Sequence, residues 1–566
     1  MKKRVLIIMS ILSLILGVFS SCKNNDQIQP PTTSTKVGAF NLVSPSNNET
    51  SGSQIEFAWT AAQNATAYKF QISQSGGFST LDFEKRVTGT SYKLETILDG
   101  NRVYYWRVVA VGSTESRTKV AANAPYVLTT KYRYLSIGAT FRDNMVIQRN
   151  SVVNIFGYAK KNIDVSVDFN NQIKNIISDE NGYYCASYEP MSASSEAKTI
   201  TVTSAGESLV ISNVVIGDVF LCSGQSNIQV ALSTVDYTEN DLNLKNKNSL
   251  RLFSQLDNPQ ETEQKQVKGG YWFIPDGTTE LNYSALAYLM GYMLEEYNSN
   301  IPVGVIFAAK GDTHIQQWMS YDAFSQSFTS VNNGYSGNVY YNGMLAPLAN
   351  NSITAMLWYQ GENNAWDSST YKKYLLDFAA DMRLKFYNQN LPIFVVQLPK
   401  YNTDIFENMW ANFRLVQAEA AKEDSNIHLL VTYDGGDITN IHPTQKRYIA
   451  ERFLLSYRKY VLNEDILADS PSIKSVAING AEMILSIQNA EGLYSTSSVI
   501  TGFEIAGANN AYKEATAQIL SDGTIKVYNS LITAPLYVRY CYKNAPKVTI
   551  FNSAKLPLAP FWNKLI

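Results

Sequence analysis

Apolar and polar positions along this chain keep two different rhythms. Between residues 36 and 131 they alternate in short runs, "IEFAWT", "AYKFQISQ", "SYKLETI" and "RVYYWRVVAV", separated by turn-forming residues. A period of two in short segments is the signature of half-buried strands, and regular repetition of such segments predicts a β-sandwich. Residues 132–213 continue in the same manner with "NMVIQRN", "VVNIFGYA", "IDVSVDF", "KTITVTSA" and "SLVISNVV". After residue 213 the pattern changes. Continuous apolar runs, "VVIGDVFLC", "VGVIFAA", "ITAMLWY", "PIFVVQL" and "IHLLVTYD", now alternate with "SALAYLMGYMLEEY", "YKKYLLDFAADMRLKFY", "ANFRLVQAEAAKE" and "QKRYIAERFLLSYRKYV". In the second of the longer stretches Tyr374, Leu375, Phe378 and Met382 recur at helical spacing. Strands without a polar face, separated by amphipathic helices, predict an α/β fold with a parallel sheet covered on both sides. From residue 463 to 566 short strands return.

Composition narrows the picture only slightly. The 566 residues, 45% hydrophobic and 17% charged, describe folded globular material of several domains. A net charge of −2 and the lack of a basic stripe give no reason to expect a nucleic-acid partner. The amino terminus is more informative. Basic "MKKR" precedes "VLIIMSILSLILGVF", which is too short and wrongly flanked for a membrane span. It ends in "SSC", which resembles a bacterial lipobox with Cys22 as the lipidated residue, although Phe19 stands where Leu is usual. The expectation is a lipoprotein signal at 1–22, a polar Pro/Thr-rich linker at 23–35 and export to a lipid-anchored position on the bacterial cell envelope. An ordinary secretory signal is the alternative. Cys185, Cys222 and Cys541 remain, an odd number that argues against a disulfide framework and for buried thiols.

Open parallel sheets carry their sites beyond the carboxyl ends of the strands. Four of the predicted strands end in Gly and polar residues there: "SGQSN", "KGDTHIQQW", "QGENN" and "GGDITNIHP". One such loop is a turn; four on one sheet edge are a candidate site. Only His314, His428 and His442 are available as bases. His442 is preferred, because it lies after the last strand and before Pro443, which suits the first turn of the last helix. No HExxH occurs, and three scattered His without paired Cys form a poor ligand set, so neither metal nor cofactor is expected.

Taken together, "SGQSN", "KGDT", "QGENN" and "IHP" resemble the four blocks of the SGNH hydrolase superfamily, and in particular the sialate O-acetylesterase-like carbohydrate esterases. "FRDNMVIQRN", "YYNGMLAPL", "GFEIAG", "VRYCYKNAP" and "LPLAPFW" extend the resemblance over residues 132–566. Trp59 and the Tyr104-Tyr105-Trp106 run resemble a fibronectin type III module. The resemblance implies a flavodoxin-like parallel sheet at 214–462. It implies an accessory β domain at 132–213, a C-terminal β region at 463–566 and a fibronectin type III-like β-sandwich at 36–131. It further implies Ser226 as nucleophile, His442 as its base, and the Ser226 and Gly311 N–H groups with the Gln360 amide as oxyanion donors. Asn363 and Asn364 are alternatives for the last role, and Glu362 is expected to orient the site or to touch sugar.

The chain departs from the family pattern at three points. Asp312 replaces the second Gly of the second block. Lys310 stands where an aromatic is frequent. Thr439 occupies the place of the usual Asp three residues before the His. Asp437, Asp434 or a backbone carbonyl is then left to orient His442, with Asp437 preferred. The expected substrate is an acetylated glycan or a sialoside, with Trp318, Trp358 and Trp366 as candidate sugar-stacking rings. Two rivals are an esterase or lipase of other specificity and a glycan-binding lipoprotein with a decayed site.

Overall fold

The computed structural model describes residues 36–564 except 52–54, 95–97, 99–101, 131–133, 247, 328–336 and 403–406. The expected signal, lipidated Cys22 and linker lie outside the described residues.

The parallel sheet is built from six strands, β1 (Glu207–Gly224), β2 (Leu250–Ser254), β3 (Val303–Ala309), β4 (Ala355–Tyr359), β5 (Ile393–Val396) and β6 (Ile427–Leu430). Their spatial order is β2-β3-β1-β4-β5-β6, all parallel, with Tyr271–Phe273 antiparallel on the outer side of β2. The chain therefore goes one way from β1 to reach β3 and the other way to reach β4. The carboxyl end of β1 is a topological switch point, where adjoining loops part and leave a crevice. Helices α1 (Ser226–Gln229), α2 (Ala285–Tyr297), α3 (Ser368–Lys385), α4 (Met409–Glu423) and α5 (Arg447–Tyr460) supply the connections. The four longer ones coincide with the four helical stretches of the sequence. The α2 start is fixed by Ser284, whose hydroxyl accepts from the Ala287 N–H at 3.1 Å.

β2 is a strand that the hydrophobic pattern did not single out. Its sequence, "LRLFS", is broken by Arg251, which is nonetheless 2% exposed. The guanidinium is satisfied by the backbone and side-chain oxygens of Asn213, so a cation that reads as a surface residue sits inside the sheet.

The boundary expected at 213/214 falls within β1. The first half of this 18-residue strand pairs antiparallel with Ser194–Ser204, and its second half runs parallel to β3 and β4. Val146–Gln148 also pairs with Val215–Gly217. One hydrophobic core runs from Leu135 through the helical layer to Tyr457, so residues 132–213 are fused to the parallel sheet. Residues 36–131 form a separate sandwich of a three-stranded and a six-stranded sheet around Phe57, Trp59, Phe70 and Trp106. The C-terminal region forms two four-stranded sheets and a small two-stranded one. Its core takes in Val431 and Tyr433, which directly follow β6. Among the described residues no helix is long and apolar enough to cross a membrane, and no cluster of metal-ligating side chains occurs.

Candidate active site

At the end of β1 the backbone must leave the sheet sharply. Gly224 does so at φ +143, and a Cβ there would stand 2.0 Å from the Tyr359 carbonyl oxygen, so only glycine fits between β1 and β4. Two residues later Ser226 opens α1. The loop after β6 brings His442 over it, with Nε2 2.7 Å from the Ser226 Oγ. The His442 backbone N–H donates to Asn440 Oδ1 at 2.9 Å. Desolvation of the ring, together with the charge of Lys446, holds the His442 pKa below the ordinary histidine value. A neutral imidazole within hydrogen-bond reach of a hydroxyl is the arrangement that removes its proton.

Gly311 follows β3 and lies against the same serine, where an added Cβ would be 3.2 Å from the Ser226 Cβ. Its N–H donates to Gln229 Oε1 at 2.7 Å. The Gln229 side chain that accepts this bond is exposed. Asp312, the departure from Gly in this block, has φ +62. Asp is one of the few non-glycine residues to enter the left-handed region readily, so the turn survives the substitution. Its carboxylate accepts from Asn363 Nδ2 at 2.8 Å on the exposed rim. Lys310 is paired with Asp257 at 2.5 Å.

Beneath the serine lies a buried polar cluster that the sequence reading only partly anticipated. Asn227 Nδ2 donates to Glu362 Oε1 at 2.6 Å and to the Ile441 carbonyl at 2.9 Å, while Lys446 Nζ donates to Asn227 Oδ1 at 2.6 Å. Burial raises the Glu362 pKa and pulls that of Lys446 down to about 7. Glu362 is buried and turned toward Asn227, a placement compatible with the expected orienting role. Asn227 and Lys446 were not singled out. A Lys four residues after a His at a helix start looks like a solvated residue, and only the three-dimensional packing reveals it as buried.

Several expected placements differ. Asp437 does not reach His442: its Oδ1 accepts from the Thr439 N–H and hydroxyl and the Asn440 N–H, so it is spent on its own turn. Those bonds also hold its carboxyl below the usual range. Asp434 faces away, in a two-bond pair with Arg452 at 2.7 and 2.6 Å. Gln360 is fully buried, and its Nε2 donates to Gln225 Oε1, the Thr313 carbonyl and Asn364 Oδ1 within 3.1 Å. Its amide braces the loop after β4 and is not presented to Ser226. Asn364 is tied to Gln316 and to the Ile315 N–H. Trp318 and Trp358 are fully buried core residues, whereas Trp366 is 50% exposed. His314 is buried, and His428 stacks on Tyr460 at 3.8 Å, where burial lowers its pKa to about 4. Cys222 and Cys541 are buried free thiols, and Cys185 is half-buried.

Residues 216–446 match the profile of the family described as carbohydrate esterase, sialic acid-specific acetylesterase. The human sialate O-acetylesterase is 31% identical over 173 residues, 28% of this chain and 33% of that protein. The chain thus spans about a third of the human relative's length in this match. The mouse sialate O-acetylesterase is 23% identical over 424 residues, 62% of this chain and 78% of that protein. A solved carbohydrate acetylesterase from Xanthomonas citri superimposes with a TM-score of 0.71 at 25% identity, covering 76% of this chain and 99% of that one. The sheet, the loops and these relatives together define an SGNH-type carbohydrate-esterase domain. Within that class, residues 216–446 are similar to the sialic acid-specific acetylesterases.

Proposed function

We propose that this chain removes acetyl groups from O-acetylated sugars through a Ser–His acyl-enzyme mechanism. The observation that carries the reading is the 2.7 Å contact between Ser226 Oγ and His442 Nε2 at the switch point of the parallel sheet. In this reading the Ser226 oxygen attacks the acetyl carbonyl carbon while His442 Nε2 takes its proton. The carbonyl oxygen becomes an anion and is received by the N–H groups of Ser226 and Gly311 once Gln229 gives way. His442 then returns the proton to the leaving sugar oxygen. Water, deprotonated by the same nitrogen, splits the acyl-enzyme and releases acetate. Trp366, exposed beside the loop after β4, is the aromatic surface available to a sugar ring.

The intact Ser226–His442 contact favours an enzyme over a decayed glycan-binding protein. The test is acetate release from a panel of acetylated xylan, acetylated pectin and O-acetylated sialosides. Wild type is expected to release acetate from at least one, and Ser226→Ala from none. No release by wild type, with glycan binding retained, would replace the esterase by the binding protein.

The finer readings belong to the same proposal. Leaving out β2, the strand order is the flavodoxin-like one, which supports that assignment. Two packed sheets around Trp59 and Trp106 support a fibronectin type III-like module at 36–131. The apolar stretch ending at Cys22 supports export and lipid anchoring to the bacterial cell envelope, where the module would space the esterase from the membrane.

A further inference from the structure

Among the described residues no carboxylate bonds to His442 as the acid of a Ser–His–acid triad would; Asp434 and Asp437 are bonded elsewhere. Something else must hold the imidazole on Ser226. The Asn227 side chain is built to do so. It follows the serine directly, is 1% exposed, and donates to the carbonyl of Ile441, the residue directly before His442. One side chain therefore ties the nucleophile's helix to the base's loop.

The amide can face only one way. Its oxygen accepts from Lys446 Nζ at 2.6 Å, and its nitrogen donates to Glu362 and to the Ile441 carbonyl, which can only accept. Reversing the amide would set an N–H₂ against the ammonium and an oxygen against two acceptors. Both charged residues are buried, at 7% exposure for Glu362 and 0% for Lys446. Burying charge is costly and is no recipe for stability, yet a buried polar group that fixes one arrangement gives specificity. The three partners of Asn227 come from the loop after β4, the loop before His442 and the approach to α5, so the cluster sets the spacing among them.

We propose that Asn227 is a positioning residue that holds His442 on Ser226 in place of a triad carboxylate, with Glu362 and Lys446 locking its amide. The proposal rests on the reading of Ser226 and His442 as the reactive pair. Lys446 has a second effect, because its charge lies close enough to His442 to favour the neutral imidazole. Lys446 itself faces Glu362, with the Tyr359 ring at 5.6 Å. Of the carboxylates on the same side, Asp236 is reached through Thr444, and Asp437 lies in the loop of His442.

The test uses the full chain and three measurements: hydrolysis of 4-nitrophenyl acetate, covalent labelling of Ser226 by a fluorophosphonate, and the NMR titration of His442 assigned with His442→Ala. Asn227→Ala is expected to lower kcat and the labelling rate by about 10²-fold with little change in KM, the size of loss that a misplaced catalytic group produces. Glu362→Ala is expected to lose activity that Glu362→Gln, which keeps an acceptor for Asn227, largely recovers. Lys446→Met is expected to move the His442 titration upward. A folded Asn227→Ala with kcat and labelling within about threefold of wild type overturns the proposal. If Asn227→Ala does not fold, the Glu362 pair decides, and a Glu362→Ala with kcat and labelling within about threefold of wild type overturns it. Should wild type hydrolyse no acetyl ester, the esterase reading fails alone, because labelling still reports the pairing. A wild type that neither hydrolyses nor labels overturns both.

Discussion

Ser226 and Gly311 stand out in the sequence because each closely follows an apolar strand, and His442 because its loop follows the last such strand on the same sheet edge. Partners were not legible, because a polar side chain binds whichever neighbour the packing offers. Asp437 lies in the right loop but is consumed by the Thr439 and Asn440 amides, and Gln360 is consumed by three buried acceptors. Two expectations follow at this scale. Asp437→Asn keeps an oxygen for the turn, so its kcat/KM should stay within about threefold of wild type, whereas removal of a true triad acid costs far more. The second concerns pH. The base works only when neutral, and both desolvation and Lys446 depress its pKa. Activity should therefore persist as pH falls below 6.5, the ordinary value for His, and be lost only as pH drops through the lowered pKa. The acid limb of the kcat/KM profile of wild type reads this directly.

At the scale of elements, the hydrophobic rhythm located five of the six parallel strands and the four long helices, because those runs are uniformly apolar or clearly amphipathic. It missed β2, where Arg251 breaks the apolar run, and it read the change of rhythm at 213/214 as a boundary although one strand, β1, continues through it and changes partners there. Pattern reports which residues avoid water but not which segments pair. Buried cations deceive in the same way. Arg414 on α4 is fully buried and donates to the carbonyls of Leu398, Pro399, Lys543 and Asn544, clamping α4 to the end of β5 and to the C-terminal region. Arg414→Ala would leave those carbonyls without a donor, and charged hydrogen bonds are worth about 1.5–3 kcal/mol each at most. The expected result is a clear drop in unfolding free energy by urea titration, on the order of 3 kcal/mol. Loss of activity should follow, since the guanidinium also lies 5.6 Å from the Tyr433 ring, on the chain that leads to the His442 loop.

For the whole molecule, the question is which modules the chemistry requires. Residues 132–213 cannot be removed, since they share β1 and a continuous core with the parallel sheet. The C-terminal region is similarly committed: its core contains Val431 and Tyr433, and the Tyr433 hydroxyl donates to the Leu558 carbonyl. Residues 36–131 differ. Their core is closed around their own Trp and Phe residues; among the described residues the partly buried Tyr271 packs against it from the catalytic side, with the Phe273 ring 5.3 Å from the Lys85 ammonium. Phe83 meets the Tyr271 ring at 5.4 Å, and the Lys85 ammonium lies 4.2 Å above it. Tyr271 belongs to the outermost strand beyond β2, at the sheet edge remote from β6 and the loop that carries His442. A protein lacking residues 36–131 should therefore fold and hydrolyse 4-nitrophenyl acetate with kcat/KM within about twofold of the full chain. The same deletion assayed on an acetylated polymer separates two roles for the module. A pure spacer leaves KM for soluble polymer unchanged, whereas a glycan-holding module raises it. A fall in kcat on the small ester would instead mean that the Phe83–Tyr271 contact steadies the sheet as far as Ser226.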